Sequence, residues 1–150
     1  MVGSEAGPVR AAPGFVLDNS IVMAWSFEDE TSPYADAVLD RLTSGRAIVP
    51  SLWPLEVANA LLMGERRKRS TEAETIRWIG ILNRLPIVID DETNTRAWGE
   101  TVALARGHKL SAYDAAYLEL AMRSGLPLAT LDERLKTVAQ AVGVLPYSID

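Results

Sequence analysis

Four short apolar runs punctuate the chain, at residues 15–17, 47–49, 87–89 and 128–130. Each is too short for a helix and is bounded by turn-forming or charged residues, so each reads as a buried strand. A weaker fifth candidate lies at 144–147, where Pro146 demotes it. Helical patterns fill the intervals, at about 33–44, 53–69, 71–85, 92–106, 111–124 and 132–142. Strands alternating with helices predict an α/β fold with a mostly parallel sheet covered on both faces. In such a sheet every strand ends at the same edge, and the following helix starts there. Ligands of these folds bind at that carboxyl edge. The 53–69 helix is apolar nearly all round and is therefore expected to be buried.

Composition narrows the class. The chain has 150 residues, a length that fits one domain. Residues 1–13, "MVGSEAGPVRAAP", lack periodicity and predict a disordered leader ahead of a folded domain over 14–150. The absence of cysteine excludes disulfides and thiolate metal sites, and a single histidine, His108, argues against a histidine-built zinc site. No apolar run approaches the roughly 18 residues that span a bilayer, and no signal peptide is visible. A soluble cytoplasmic protein is expected. The net charge of −5 argues against nucleic-acid binding by bulk electrostatics, leaving a local basic patch or bound cations as the route.

Most of the 20 acids have an ordinary place on a solvated helix face. Four do not. Asp18 ends the first strand in "FVLDNS", with an N-cap for a helix starting near Ser20 as the plain alternative. Glu56 lies in the first turn of the apolar helix "SLWPLEVANALLM", where a dipole-favoured glutamate is the alternative. Asp114 lies in "LSAYDAAYLELAMRSG". Glu119 and Arg123 mark the wet side of that helix, and Asp114 is about 140° and 180° from them. It shares the buried side with Tyr117, Leu118 and Ala121, and a capping box with Ser111 is its alternative. Asp132 follows the fourth strand and would serve equally as an N-cap.

Topology makes the four a set, because each falls where a strand ends or where a helix begins at the carboxyl edge. Several carboxylates at one edge repel one another and raise each other's pKa. A divalent cation removes that conflict, and all-oxygen ligands select Mg²⁺ or Mn²⁺. The hydroxyls of Ser20 and Thr130 are placed to orient the carboxylates or bound waters.

The segments "VLDNSIVMAW", "VPSLWPLEVANAL", "LSAYDAAYLELA" and "LPLATLDERLKTVAQAVGV" resemble, in order, the motifs of the PIN-domain ribonucleases, and in particular the VapC toxins of bacterial toxin–antitoxin (VapBC) pairs. The match runs from residue 15 to about 145. The resemblance implies a three-layer α/β/α sandwich with a parallel sheet of four to five strands. It also implies a Mg²⁺- or Mn²⁺-dependent RNA endonuclease, whose metal-activated water leaves a 5′ phosphate and a 3′ hydroxyl. Asp18, Asp114 and Asp132 then hold one or two metal ions, with Glu56 bound directly or through water, and Ser20 and Thr130 stand behind them. Glu133 follows the last aspartate, where some members carry a further acid. The implied partners are an RNA substrate, a small cognate antitoxin that blocks the acidic site, and a second copy in a homodimer. The alternative is a catalytically inactive PIN-like module that binds protein or RNA.

Three features are read on their own merits. The basic run "ERRKRS", residues 65–70, should sit at the far end of its helix, so Arg106, Lys109 and Arg134 are the better candidates for phosphate contact. Trp25, Trp53, Trp78 and Trp98 exceed what a small core needs, and interface positions compete with core packing for them. Receiver and nucleotide-binding readings fail: Asn19-Ser20 replace an acidic pair after Asp18, and neither G-x-G-x-x-G nor G-x-x-x-x-G-K-[ST] occurs.

Overall fold

A computed structural model describes residues 12–149, so the leader expected at 1–13 lies outside the described residues apart from Ala12 and Pro13. The four apolar runs form strands β1 (Phe15–Leu17), β2 (Ala47–Val49), β3 (Ile87–Ile89) and β4 (Leu128–Ala129). They pair in parallel, in the order β3-β2-β1-β4. Phe15 stands opposite Ala47, Val16 opposite Leu128, and Ala47 opposite Ile87. All three residues of β1 are buried, whereas the edge strand β3 is only half covered. Fully burying a side chain such as Phe15 or Leu17 is worth about 1.5–3 kcal/mol. The fifth candidate strand contributes a single bridge, Leu128 with Pro146, where the proline has no N–H to extend a ladder.

Helices flank the sheet in the expected three-layer arrangement. They are α1 (Asn19–Ser26), α2 (Pro33–Arg41), α3 (Trp53–Arg66), α4 (Glu72–Arg84), α5 (Thr93–Arg96), α6 (Val102–His108), α7 (Ala112–Ser124) and α8 (Glu133–Ala141). Local chemistry sets their starts. Ser32 caps α2 ahead of Pro33, and Thr71 and Glu74 form a capping box on α4. Helix α3 stops short of residue 69 because Lys68 adopts a left-handed conformation. In α3, a Cβ at Gly64 would lie 2.3 Å from the Phe27 ring, so only glycine admits this packing. Arg69 covers the same ring at 4.2 Å and pairs with Asp29 and Glu30. The basic run is thus partly spent on its own fold.

The helix expected over 92–106 runs without interruption from Thr93 to His108, passing through a π-helical turn at Ala97–Thr101 between α5 and α6. Two expectations are corrected. Helix α3 is not buried all round: Val57 and Leu61 face the core, but Leu55 is 78% exposed. Glu119, read as a marker of the wet side of α7, is buried. It pairs with Arg123 at 2.9 Å, and Arg123 reaches Asp90, buried at the end of β3, at 2.8 Å. Thr93 also donates to Asp90, at 2.8 Å. Burial alone would raise the Asp90 pKa, but the Arg123 and Thr93 hydrogen bonds and the guanidinium charge hold it below the usual range.

Candidate metal centre

Asp18 leaves β1 and caps α1, so the plain capping role is real. Its Oδ2 accepts from the Ser20 backbone N–H at 3.4 Å. That same oxygen takes two stronger bonds, from the Ser20 hydroxyl at 2.6 Å and the Thr130 hydroxyl at 2.8 Å. The hydroxyls accept in turn: Ser20 from the Leu131 N–H at 2.9 Å, and Thr130 from the Asp132 N–H at 3.0 Å. This knot ties the end of β1 to the end of β4. Asp18 is buried, and burial raises its pKa, with the Ser20 and Thr130 hydrogen bonds opposing the rise.

Glu56 stands half-buried in the first turn of α3. Its Oε1 accepts from the Tyr117 hydroxyl at 2.5 Å. Burial raises its pKa, the Tyr117 bond opposes this, and the charges of Asp18 and Asp114 raise it further. Asp114, half-buried in the first turn of α7, is pushed up by burial and then by Asp18 and Asp132, with Arg134 opposing. Ser111 caps α7 by accepting from the Asp114 N–H at 3.0 Å, and no reciprocal bond from the Asp114 carboxylate completes a capping box among the described residues. Asp132 is exposed and caps α8, its Oδ1 accepting from the N–H groups of Arg134 and Leu135 at 3.0 and 3.1 Å.

Asp18 and Asp114 therefore sit close enough to Glu56, and Asp18 and Asp132 close enough to Asp114, to raise the pKa of each. Among the described residues, no three His, Cys, Asp or Glu side chains are arranged to hold an ion by themselves. Mg²⁺ requires no such cage, because it keeps several waters and binds through one or two carboxylates and substrate phosphates. The donor chemistry, carboxylates only and mutually repelling, fits a hard divalent cation.

Of the expected phosphate contacts, Arg134 lies beside Asp114 and donates to the Lys109 carbonyl, which joins the α6–α7 turn to α8. Arg106 and Lys109 are exposed near the end of α6. Tyr117 was legible in the sequence only as a core residue, although its position three residues after Asp114 places both on one face of α7. Trp25 and Trp53 are buried and Trp78 is half-buried, but Trp98 is 95% exposed. Among the described residues no helix is long and apolar enough to cross a membrane.

Residues 15–141 match the family described as PIN domain. The crystal structure of PAE2754 from Pyrobaculum aerophilum superposes with a TM-score of 0.65 at 23% identity, over 89% of this chain and 83% of that one. That likeness concerns the fold. No curated protein matches the chain.

Proposed function

Because the chain belongs to the PIN-domain family, whose members are typically metal-dependent nucleases, we propose that it is a Mg²⁺- or Mn²⁺-dependent RNA endonuclease. The observation that supports this reading is the rise in the pKa of Glu56 and Asp114 caused by burial and by neighbouring acids, beside an Asp18 carboxylate that the Ser20 and Thr130 hydroxyls hold between the ends of β1 and β4. One or two of Asp18, Asp114 and Asp132 would bind the ion directly and the rest through its waters, with Glu56 direct or through water. A bound divalent cation supplies an acidified water and charge neutralisation at the scissile phosphate, leaving a 5′ phosphate and a 3′ hydroxyl. Ser20 and Thr130 fix the Asp18 carboxylate, Tyr117 fixes Glu56, and Arg134 stands beside Asp114 to meet a phosphate oxygen. The order of the four VapC-like segments supports a toxin role, with a small antitoxin and a homodimer as partners.

The test is RNA cleavage by purified protein with Mg²⁺ beside its Asp114→Asn variant. The substitution keeps shape and helix start but removes the charge. Cleavage by wild type and none by the variant, at equal circular dichroism, is the expected outcome. Equal cleavage by both removes Asp114 from the reaction.

A further inference from the structure

A cleft of about 670 Å³ opens between the starts of α3 and α7 and the α5–α6 region. Its rim carries Leu55, Trp98 and Tyr113, which are 78%, 95% and 64% exposed. Large apolar side chains grouped in this way on a surface mark a binding site. No charged residue lines the cleft, and its polar groups are hydroxyls and an amide, among them Ser51 and Asn94. Leu55 immediately precedes Glu56 on α3, and Tyr113 immediately precedes Asp114 on α7. At about 100° per residue, the cleft wall and the acid-bearing face of each helix are neighbours.

Thr101, also in the lining, is 3% exposed, and its Oγ1 has no hydrogen-bond partner among the described residues. It ends the π-helical turn, a distortion that occurs often at functional sites. A buried hydroxyl without a partner is costly. An apolar side chain from another protein would leave it unpaired, whereas the edge of a nucleobase carries donors and acceptors.

We infer that this cleft, with Trp98 and Tyr113 as stacking faces and Thr101 as an edge contact, takes one base of a single-stranded RNA held at the acids. The inference rests on the nuclease reading and adds how the substrate is chosen. Duplex RNA keeps its bases stacked within the helix, whereas a single strand can splay one out against an aromatic ring. Uncharged walls suit a base and leave the phosphates to Arg134 and to a cation at the neighbouring carboxylates.

The experiment uses Asp114→Asn protein as the parent and adds Trp98→Ala or Thr101→Val. Binding of labelled oligo(A), oligo(C) and oligo(U) RNA is read by fluorescence anisotropy, with RNA duplex as a control. Trp98→Ala should weaken single-strand binding by roughly tenfold or more and leave duplex binding alone. Thr101→Val removes only a hydroxyl and should bring the three dissociation constants together without lowering the melting temperature. Unchanged single-strand binding by Trp98→Ala overturns the inference. So does a fall in its mass by light scattering, which would assign the face to a second copy of the chain. If wild type leaves RNA uncut while Trp98→Ala weakens binding, the nuclease reading falls and the cleft stands. If wild type cuts RNA and Trp98→Ala binds like its parent, the cleft falls and the nuclease reading stands.

Discussion

Tyr117 opposes the rise in the Glu56 pKa. The carboxylate is pushed up by burial and by two neighbouring acids, and the Tyr117 hydroxyl acts against them. Tyr117→Phe removes that hydroxyl and leaves the ring in place. The Glu56 pKa then moves further up, so more of the group is protonated and unable to serve a cation. Such orienting contacts are worth about 10–100-fold in metal affinity or activity. Mg²⁺ titration by calorimetry should show a loss of that size, and the acid limb of the activity profile should move to higher pH. Unchanged affinity would mean that Glu56 stands outside the coordination and serves elsewhere. The places of Asp18 and Asp132 after strands and of Glu56 and Asp114 in the first turns of helices were legible in the sequence, because an acid where an apolar run ends or an apolar helix begins is a local signal. Tyr117 was not, because an aromatic among apolar residues looks like core until its partner, 61 positions away, is known.

At the scale of elements, the same limit explains the misreading of α7. Glu119 and Arg123 form an i,i+4 pair, which on sequence alone marks a solvated face. Asp90, from the end of β3, turns that pair into a buried network. Arg123→Met would keep much of the side-chain volume and strand two buried carboxylates, at a cost of about 3–5 kcal/mol. The pH dependence has a definite sign. The Asp90 pKa is held below its unfolded value, so its contribution to stability is present above an unfolded pKa of about 3.9. It is lost as pH falls through the folded value. Urea unfolding should therefore show the full difference between wild type and variant near neutrality, narrowing below about pH 4. A constant gap across that range would remove Asp90 from the network's energetics. The exposed side of α3 escaped the sequence for a related reason. Hydrophobicity all round a helix states what it would bury, and here part of that surface, at Leu55, has no covering element.

For the molecule as a whole, the parallel sheet was readable because its strands are apolar runs and its helices carry their own caps. The cost of the arrangement is electrostatic, since the fold gathers repelling carboxylates at one edge. Asp18 lies deepest, and burial raises its pKa against the hydrogen bonds of Ser20 and Thr130. A carboxyl with a raised folded pKa contributes its stability fully below the unfolded pKa. That contribution is lost as pH rises through the folded value. Near neutrality the metal-free protein therefore carries the buried Asp18 carboxyl at a cost to stability. Asp18→Asn keeps a competent helix cap and removes the charge, so the metal-free variant should melt at a higher temperature than wild type in calorimetry at neutral pH. Mg²⁺ should act in the opposite order. At one hundred times its dissociation constant a ligand of the native state adds about 2.7 kcal/mol. Wild type should gain that stabilisation, and Asp18→Asn should lose most of it. A variant that melts lower without metal, or that responds to Mg²⁺ as wild type does, would show that Asp18 is held for packing and not for a cation. The crossed outcome ties the strain of the empty fold to the ion that relieves it, which neither melting curve would establish alone.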